Sequence, residues 1–250
     1  MSCGRIALER VGIKPTEYYA SEIDEYAMKV TQKNYPDTIQ LGDVQNIHMG
    51  TDAEIDLIMG GSPCQGFSYA GSQLAFDDPR SKLFFEFVRL LEEVKPKYFL
   101  LENVRMKQEF QYVISKYLGV EPIIINSNLV SAQNRLRYYW TNIPNIKQPK
   151  DRHIMFGDIL ENGKAERDKS QAILATIYKE NCKSMLKRNK MGLVSRVKSN
   201  EWRKISVLEC ERLQTLSDHY TEGVSNTQRY KMIGNAWTVD VIAHIFKGLK

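Results

Sequence analysis

The sequence predicts an α/β fold built on a doubly wound, mostly parallel sheet. Three observations predict it. Short apolar runs of strand length alternate with segments of helical period. Glycine or proline punctuates many of the changes from one to the other. Four of the runs also end on or lead into a side chain capable of chemistry: Glu22, Asp43, Cys64 and Glu102. Strands whose carboxyl ends share one ligand-binding edge would place such residues there.

In chain order, residues 3–12 ("CGRIALERVG") read as a helix stopped at Gly12, and "EYYASE" (17–22) as a strand. A helix over about 24–34 and a short strand "TIQL" (38–41) follow. "EIDLIMG" is a buried strand ended by Gly60, Gly61 and Pro63. "SKLFFEFVRLLEEV" (81–94) carries apolar residues at 83, 84, 87, 90, 91 and 94, the spacing of one buried helix face. Lys95–Pro96 stops it, and "KYFLLE" (97–102) is a strand again. A helix over 106–118 leads to a closing pair of strands, "EPIIINSNLV" and "RLRYYWTNI". Residues 146–204 break the rhythm: polar and irregular, with one helical stretch near 168–188. "ISVLECERLQTL" (205–216) and "TVDVIAHIFKGL" (238–249) return to helical spacing. The expected plan is therefore a sheet domain over 1–145, a small basic insertion over 146–204, and a return to the first domain over 205–250.

Composition is ordinary for a globular chain of 250 residues, with 42% hydrophobic and 26% charged residues. Apolar runs are far too short for a membrane-spanning helix, and no leader pattern opens the chain, so a cytoplasmic protein with no membrane partner is expected. Cys3, Cys64, Cys182 and Cys210 form no CxxC pair, and the four histidines show no metal-ligand spacing, which argues against a disulfide framework or a metal. The net charge of +5 is unevenly spread. Residues 146–204 hold 15 Lys and Arg against 7 Asp and Glu, while the rest of the chain is slightly acidic. A basic segment on a near-neutral body suits a polyanion.

Singly, each of the four strand-end residues is unremarkable: a carboxylate there is commonly a turn former or cap, and a lone cysteine a small core residue. Their convergence on one crevice points to chemistry. No histidine is placed to serve Cys64 as a base, and neither a GxSxG elbow nor a Walker lysine is present. A thiol working with a carboxyl group, and with a cofactor, is what remains.

"PCQ", then "LENV", then "QNRLR", in that order and at strand ends, resemble the motifs of the DNA (cytosine-5) methyltransferases. "ECERLQ" (209–214) and "GNAWTVDVI" (234–242) extend the resemblance over the whole chain outside the basic insertion. "SKLFFEFVRLL", "SAQNRLRYYWTNIP" and the tryptophan of "GNAWTV" look closest to the de novo-type and phage-encoded members. The resemblance implies a Rossmann-like S-adenosylmethionine-dependent fold with a small target-recognition insertion at 146–204. It implies that Cys64 adds to cytosine C6, that Glu102 binds the N3 and amino edge, and that Arg137 holds O2. Arg135 would support the loop or a phosphate beside them. The implied cofactor is S-adenosyl-L-methionine, contacted by Ser2, Cys3, Gly4, Glu22, Ile23, Asp43, Val44, Pro63, Asn235 and Trp237. Glu22 would take the ribose hydroxyls, Asp43 the adenine amino group, and Trp237 would close the pocket.

The implied partner is double-stranded DNA with the target base flipped out, and residues 66–81 would close over it. The family allows a homo-oligomer. An RNA cytosine-5 methyltransferase, or an inactive methyltransferase-like module that binds nucleic acid, are the competing readings. One departure stands out: "MSCGRIALERVG" begins inside the turn that follows the family's first strand. A start upstream, or a truncated copy, is the expectation that follows.

Overall fold

The computed structural model describes residues 1–50, 54–61, 82–188, 193–198 and 201–249. It divides into two compact units, one formed by residues 1–40, 126–135 and 148–247, the other by residues 41–125, 136–147 and 248–250.

The second unit is built on a four-stranded sheet. Its strands are β3 (Leu57–Gly61), β4 (Tyr98–Val104), β5 (Ile123–Asn126) and β7 (Leu136–Thr141), in the order β3-β4-β7-β5. β3 and β4 run parallel, with Leu57 opposite Tyr98 and Gly61 opposite Glu102. β4 and β7 run antiparallel, with Glu102 opposite Tyr139 and Val104 opposite Arg137. The sheet is thus mixed. On its other side β3 has no strand partner among the described residues.

Helices α3 (Lys82–Val94) and α4 (Gln108–Leu118) cover one face of this sheet. The predicted face of α3 is buried at Phe84 and Phe87, with Leu91 packed partly against the core, and Val88, outside the predicted spacing, joins them against Leu101, Met106, Phe110, Ile114, Tyr138 and Trp140. Each large side chain so buried contributes about 1.5–3 kcal/mol. α3 stops at Lys95, a non-glycine residue at φ 49°, just before Pro96, and α4 stops at Gly119 in the left-handed conformation. Gly60 of β3 faces the Phe87 ring so closely that a Cβ would lie 2.8 Å from it. That glycine lets helix and strand approach.

Helices supply most of the regular structure of the first unit. α1 (Cys3–Arg10) packs on α8 (Val239–Phe246), which buries residues nearly all round. The short strands β1 (Tyr19–Ala20) and β2 (Ile39–Gln40) pair in parallel on either side of α2 (Glu25–Asn34). Asp24 caps α2, accepting from the N–H groups of Tyr26 and Ala27, and also takes the Lys231 ammonium at 2.8 Å. Lys231 lies on α7 (Asn226–Asn235), a helix with no counterpart in the sequence reading. α6 (Val207–Leu213) opens on a capping box, Ser206 with Glu209. Two further strand pairs complete the unit: β6 (Gln133–Asn134) beside β8 (Ser170–Gln171), and a hairpin of β9 (Val194–Lys198) and β10 (Glu201–Lys204).

The helix expected over 168–188 is a correction. Residues 170–171 are strand, 177–179 a single 3-10 turn, and only α5 (Cys182–Lys187) is α-helical. The main chain here is claimed from outside: Ser170 N–H donates to the Ala132 carbonyl, and Ile173 N–H to the Gln133 side chain. Those bonds hold the strap extended and override its local helical pattern.

Candidate active site

Within the sheet unit, β4 and β7 bring Glu102 and Arg137 together. Alternate residues of a strand share a face, so the register puts Glu102, Tyr139 and Arg137 on the face opposite α3 and α4. Glu102 and Arg137 are diagonal neighbours there, and Arg137 Nε lies 2.9 Å from Glu102 Oε1. Both side chains are largely shielded, at 14% exposure for the arginine and 12% for the glutamate. Arg137 also donates to its neighbour's carbonyl, that of Leu136, at 2.8 Å. A shielded carboxyl group and a guanidinium side by side can address a flat heterocycle with adjacent donor and acceptor positions.

Asp43 lies in the same unit as the N-cap of a 3-10 turn, Val44–Asn46, accepting from Gln45 N–H at 3.0 Å and from the Gln45 side chain. Val44 gives its carbonyl to Arg89 of α3 at 3.1 Å. Cys64, Pro63 and the expected closing loop 66–81 lie outside the described residues.

In the helical unit, Glu22 spends one oxygen on the chain. Oε1 accepts from Ile23 N–H and Asp24 N–H, both at 2.9 Å, while Oε2 has no hydrogen bond among the described residues. Ile23 beside it is 72% exposed. A carboxylate oxygen next to an open apolar side chain suits a ribose diol and a purine face. Ser2 stands at the N-terminus of α1 without a side-chain cap, its hydroxyl turned to Thr31 at 3.1 Å, while the Arg5 N–H of the first turn is taken by the Tyr18 hydroxyl. Gly4 is buried in that turn, as is Cys3, whose thiol is pushed up in pKa by burial. The Cys3 thiol takes a main-chain hydrogen bond at Trp237. The amino-terminal turn and the "GNAW" turn therefore meet, with Asn235 exposed and Trp237 half-buried.

Arg135 has a different setting from Arg137. It is buried, and its guanidinium donates to the carbonyls of Ile173 at 2.9 Å, Gly234 at 3.2 Å and Ala236 at 3.0 Å. It ties the basic segment to the end of α7. Gly234 belongs to the same junction: a Cβ there would lie 2.3 Å from the Ala175 nitrogen. Sequence reasoning missed the rest of this polar core. Gln133, Glu209, Glu211, Gln214 and Thr238 are all essentially inaccessible. Glu209 pairs with Arg203 and accepts from Glu161 N–H, whereas Glu211 takes the N–H groups of His219 and Thr221 and the Arg229 guanidinium. Polar residues in "QNR", "ECERLQ" and "TV" read as surface by composition, and only their place in the family motifs marks them out.

The family model for C-5 cytosine-specific DNA methylases matches residues 2–139 and 120–250. The chain belongs to that family. Its enzyme class is accordingly DNA (cytosine-5)-methyltransferase. Among relatives, Type II methyltransferase M1.ScrFI of Lactococcus lactis subsp. cremoris is 28% identical over 93% of this chain and 72% of its own length. Two solved structures share the fold. The Entamoeba histolytica methyltransferase EhMeth superposes with a TM-score of 0.74 at 19% identity, over 99% of this chain and 95% of that one. A DNA modification methyltransferase encoded within an E. coli prophage superposes with a TM-score of 0.70 at 20% identity, over the same shares. The family and fold are those of S-adenosylmethionine-dependent methyltransferases. Among the described residues no three His, Cys, Asp or Glu gather as a metal site, and no helix is long and apolar enough to cross a membrane.

Proposed function

We propose that this chain methylates C5 of a cytosine flipped out of double-stranded DNA, through a covalent adduct between Cys64 and C6. The observation that carries this reading is the Glu102–Arg137 pair, 2.9 Å apart on one sheet face and drawn from "LENV" and "QNRLR". Glu102 grips the N3 and amino edge and Arg137 the O2 of the base. Polarised at that edge, the ring accepts the Cys64 thiolate at C6, which makes C5 nucleophilic. After methyl transfer the C5 proton leaves, the S–C6 bond breaks and the thiolate returns. When bound, S-adenosylmethionine supplies the methyl group as an electrophilic sulfonium. Ser2, Cys3, Gly4 and Trp237 would flank it, with Glu22 and Ile23 at the ribose and adenine, and Asp43, Val44, Pro63 and Asn235 completing the contact set.

Residues 146–204 serve as the target-recognition region, their lysines and arginines binding phosphate and so making affinity fall steeply with salt. The catalytic domain is then 1–145 with 205–250. The Type II relative supports a modification role for the chain. The test is duplex DNA carrying 5-fluorocytosine, incubated with S-adenosylmethionine and the protein, then run on a denaturing gel. Fluorine at C5 blocks the final elimination, so a covalent adduct that vanishes in Cys64→Ala is the expected result. Adduct formation on RNA alone would replace DNA as substrate. No adduct on either, with cofactor binding intact, would overturn the covalent mechanism.

A further inference from the structure

Trp237 lies in the turn between α7 and α8, where no regular main-chain ladder holds the chain: Ala236 and Thr238 are both extended, at ψ 158° and 107°. Yet each residue of the turn is pinned from inside the helical unit. The Ala236 carbonyl accepts from Arg135 and from Gln214 Nε2, both at 3.0 Å. Trp237 meets the Cys3 thiol through its main chain. The Thr238 hydroxyl donates to Gln214 Oε1 at 2.9 Å and accepts from Ser127 at 2.8 Å.

Gln214 is common to both flanks. Its amide donates to the carbonyls of Ile233 (2.9 Å) and Ala236, and its oxygen accepts from Thr238 and from Gln133 Nε2 (2.9 Å). All four hydrogen-bonding positions of a primary amide are thus used, in a site with no solvent access. A buried side chain so fully engaged specifies one geometry, because any displacement leaves a polar group unpaired. Gln214 thereby bridges the two residues that flank Trp237.

We propose that Gln214 is a positioning residue: it fixes the Ala236–Thr238 turn so that Trp237 is presented, preorganised, to the adenosyl cofactor. This rests on the cofactor site of the preceding section. Gln214 touches no substrate and acts through the turn alone. Its removal therefore weakens cofactor binding without changing the chemistry at Glu102 and Arg137.

Two variants test this. Gln214→Glu keeps the shape and turns an oxygen toward the Ile233 and Ala236 carbonyls. Thr238→Val keeps the volume and deletes one arm of the bridge. Leaving a buried group unpaired loosens the turn, so a loss of cofactor affinity of about fivefold or more is expected. S-adenosylmethionine binding to the full chain is measured by calorimetry, KM and kcat by methyl transfer to duplex DNA, and folding by thermal melting. The expected result is a raised KM for cofactor in both variants with kcat and DNA affinity near the parent's. Equal loss in kcat and KM, or unchanged cofactor binding in a folded Thr238→Val, overturns the assignment. A parent chain that binds no cofactor at all overturns the underlying cofactor site instead, and the assignment with it.

Discussion

Replacing Gly234 by alanine should unfasten the basic segment from α7. The added methyl carbon would sit 2.3 Å from the Ala175 nitrogen, 2.4 Å from the Leu174 carbonyl carbon and 2.6 Å from Ala175 Cα. All three are main-chain atoms, so no side chain can rotate away. Ordinary contact begins near 3.4 Å, so the strap must retreat by about 1 Å. That displacement stretches the 2.9 Å bond from Arg135 to the Ile173 carbonyl beyond useful range. Overpacking costs about 1–3 kcal/mol. Loss of a hydrogen bond from a charged donor adds about 1.5–3 kcal/mol. Alanine's better helix propensity returns about 1 kcal/mol. The net loss is about 1.5–5 kcal/mol, which for a chain of this size lowers the melting midpoint by roughly 10 °C at mid-range. Thermal melting followed by circular dichroism reads it, and limited proteolysis should show early cleavage near residues 173–175. A midpoint within about 2 °C of the parent, with unchanged proteolysis, would refute the close-approach account of this glycine.

Three further outcomes are expected. Glu102→Gln should abolish the 5-fluorocytosine adduct while lowering stability by only about 1 kcal/mol or less, since the amide keeps one hydrogen bond to Arg137; a full-strength adduct would remove Glu102 from the chemistry. The Asp24–Lys231 pair should show in the pH profile of melting. Burial works against the Asp24 carboxylate, but the Lys231 ammonium and the α2 N–H groups hold its pKa below the ordinary value. Its contribution is thus present above the unfolded-state pKa and is lost as pH falls through the folded one. With Lys231 raised by Asp24, the complementary loss comes only at strongly alkaline pH. Asp24→Asn should therefore lose about 1 kcal/mol or less near neutrality and converge with the parent as pH falls through the depressed folded-state pKa; a constant offset at every pH would contradict the linkage. Finally, burial raises the thiol pKa of Cys3, Cys210 and Cys182, but only Cys182 is partly exposed, so native-state alkylation at pH 8 should reach Cys182 before Cys3 or Cys210, as peptide mapping would report.

Elements with one apolar face were legible in the sequence. The spacing along 81–94 named α3 and part of its buried side, because Phe84 and Phe87 meet a sheet that asks only for bulk. The strand pair that carries Glu102 and Arg137 was likewise readable from "KYFLLE" and "RLRYYWTNI". Illegible were elements whose partners are polar. α7 buries only Met232, Ile233 and Gly234, too few to show a period. The β9–β10 hairpin alternates Val194, Arg196 and Lys198 with Ser195 and Val197, a pattern whose charges hide the strand. Ile173 and Ile177 stand four apart, as on a helix, yet side chains of Gln133 and Arg135 hold Ile173 in an extended strap. In the candidate site, residue types and order pointed to Glu102, Arg137 and Glu22. The burial of Gln214 and Glu211 came from long-range hydrogen bonds that no local pattern encodes.

On the proposal that residues 146–204 recognise the target, the strap at 173–175 bears on how that target could change. A recognition region inserted by a plain hinge could be exchanged like a cartridge, cut at each junction and replaced. Here the segment is laced into its host: Gly234 has given up its side chain to admit it, Arg135 grips its carbonyl, and Gln133 takes its N–H. New specificity is therefore more readily reached by altering residues beyond the strap, from Ile177 to Lys204, than by transplanting the insertion whole. A donor segment would need its own extended crossing at the same place, or the recipient would lose the fastening of its "GNAW" turn along with its old target.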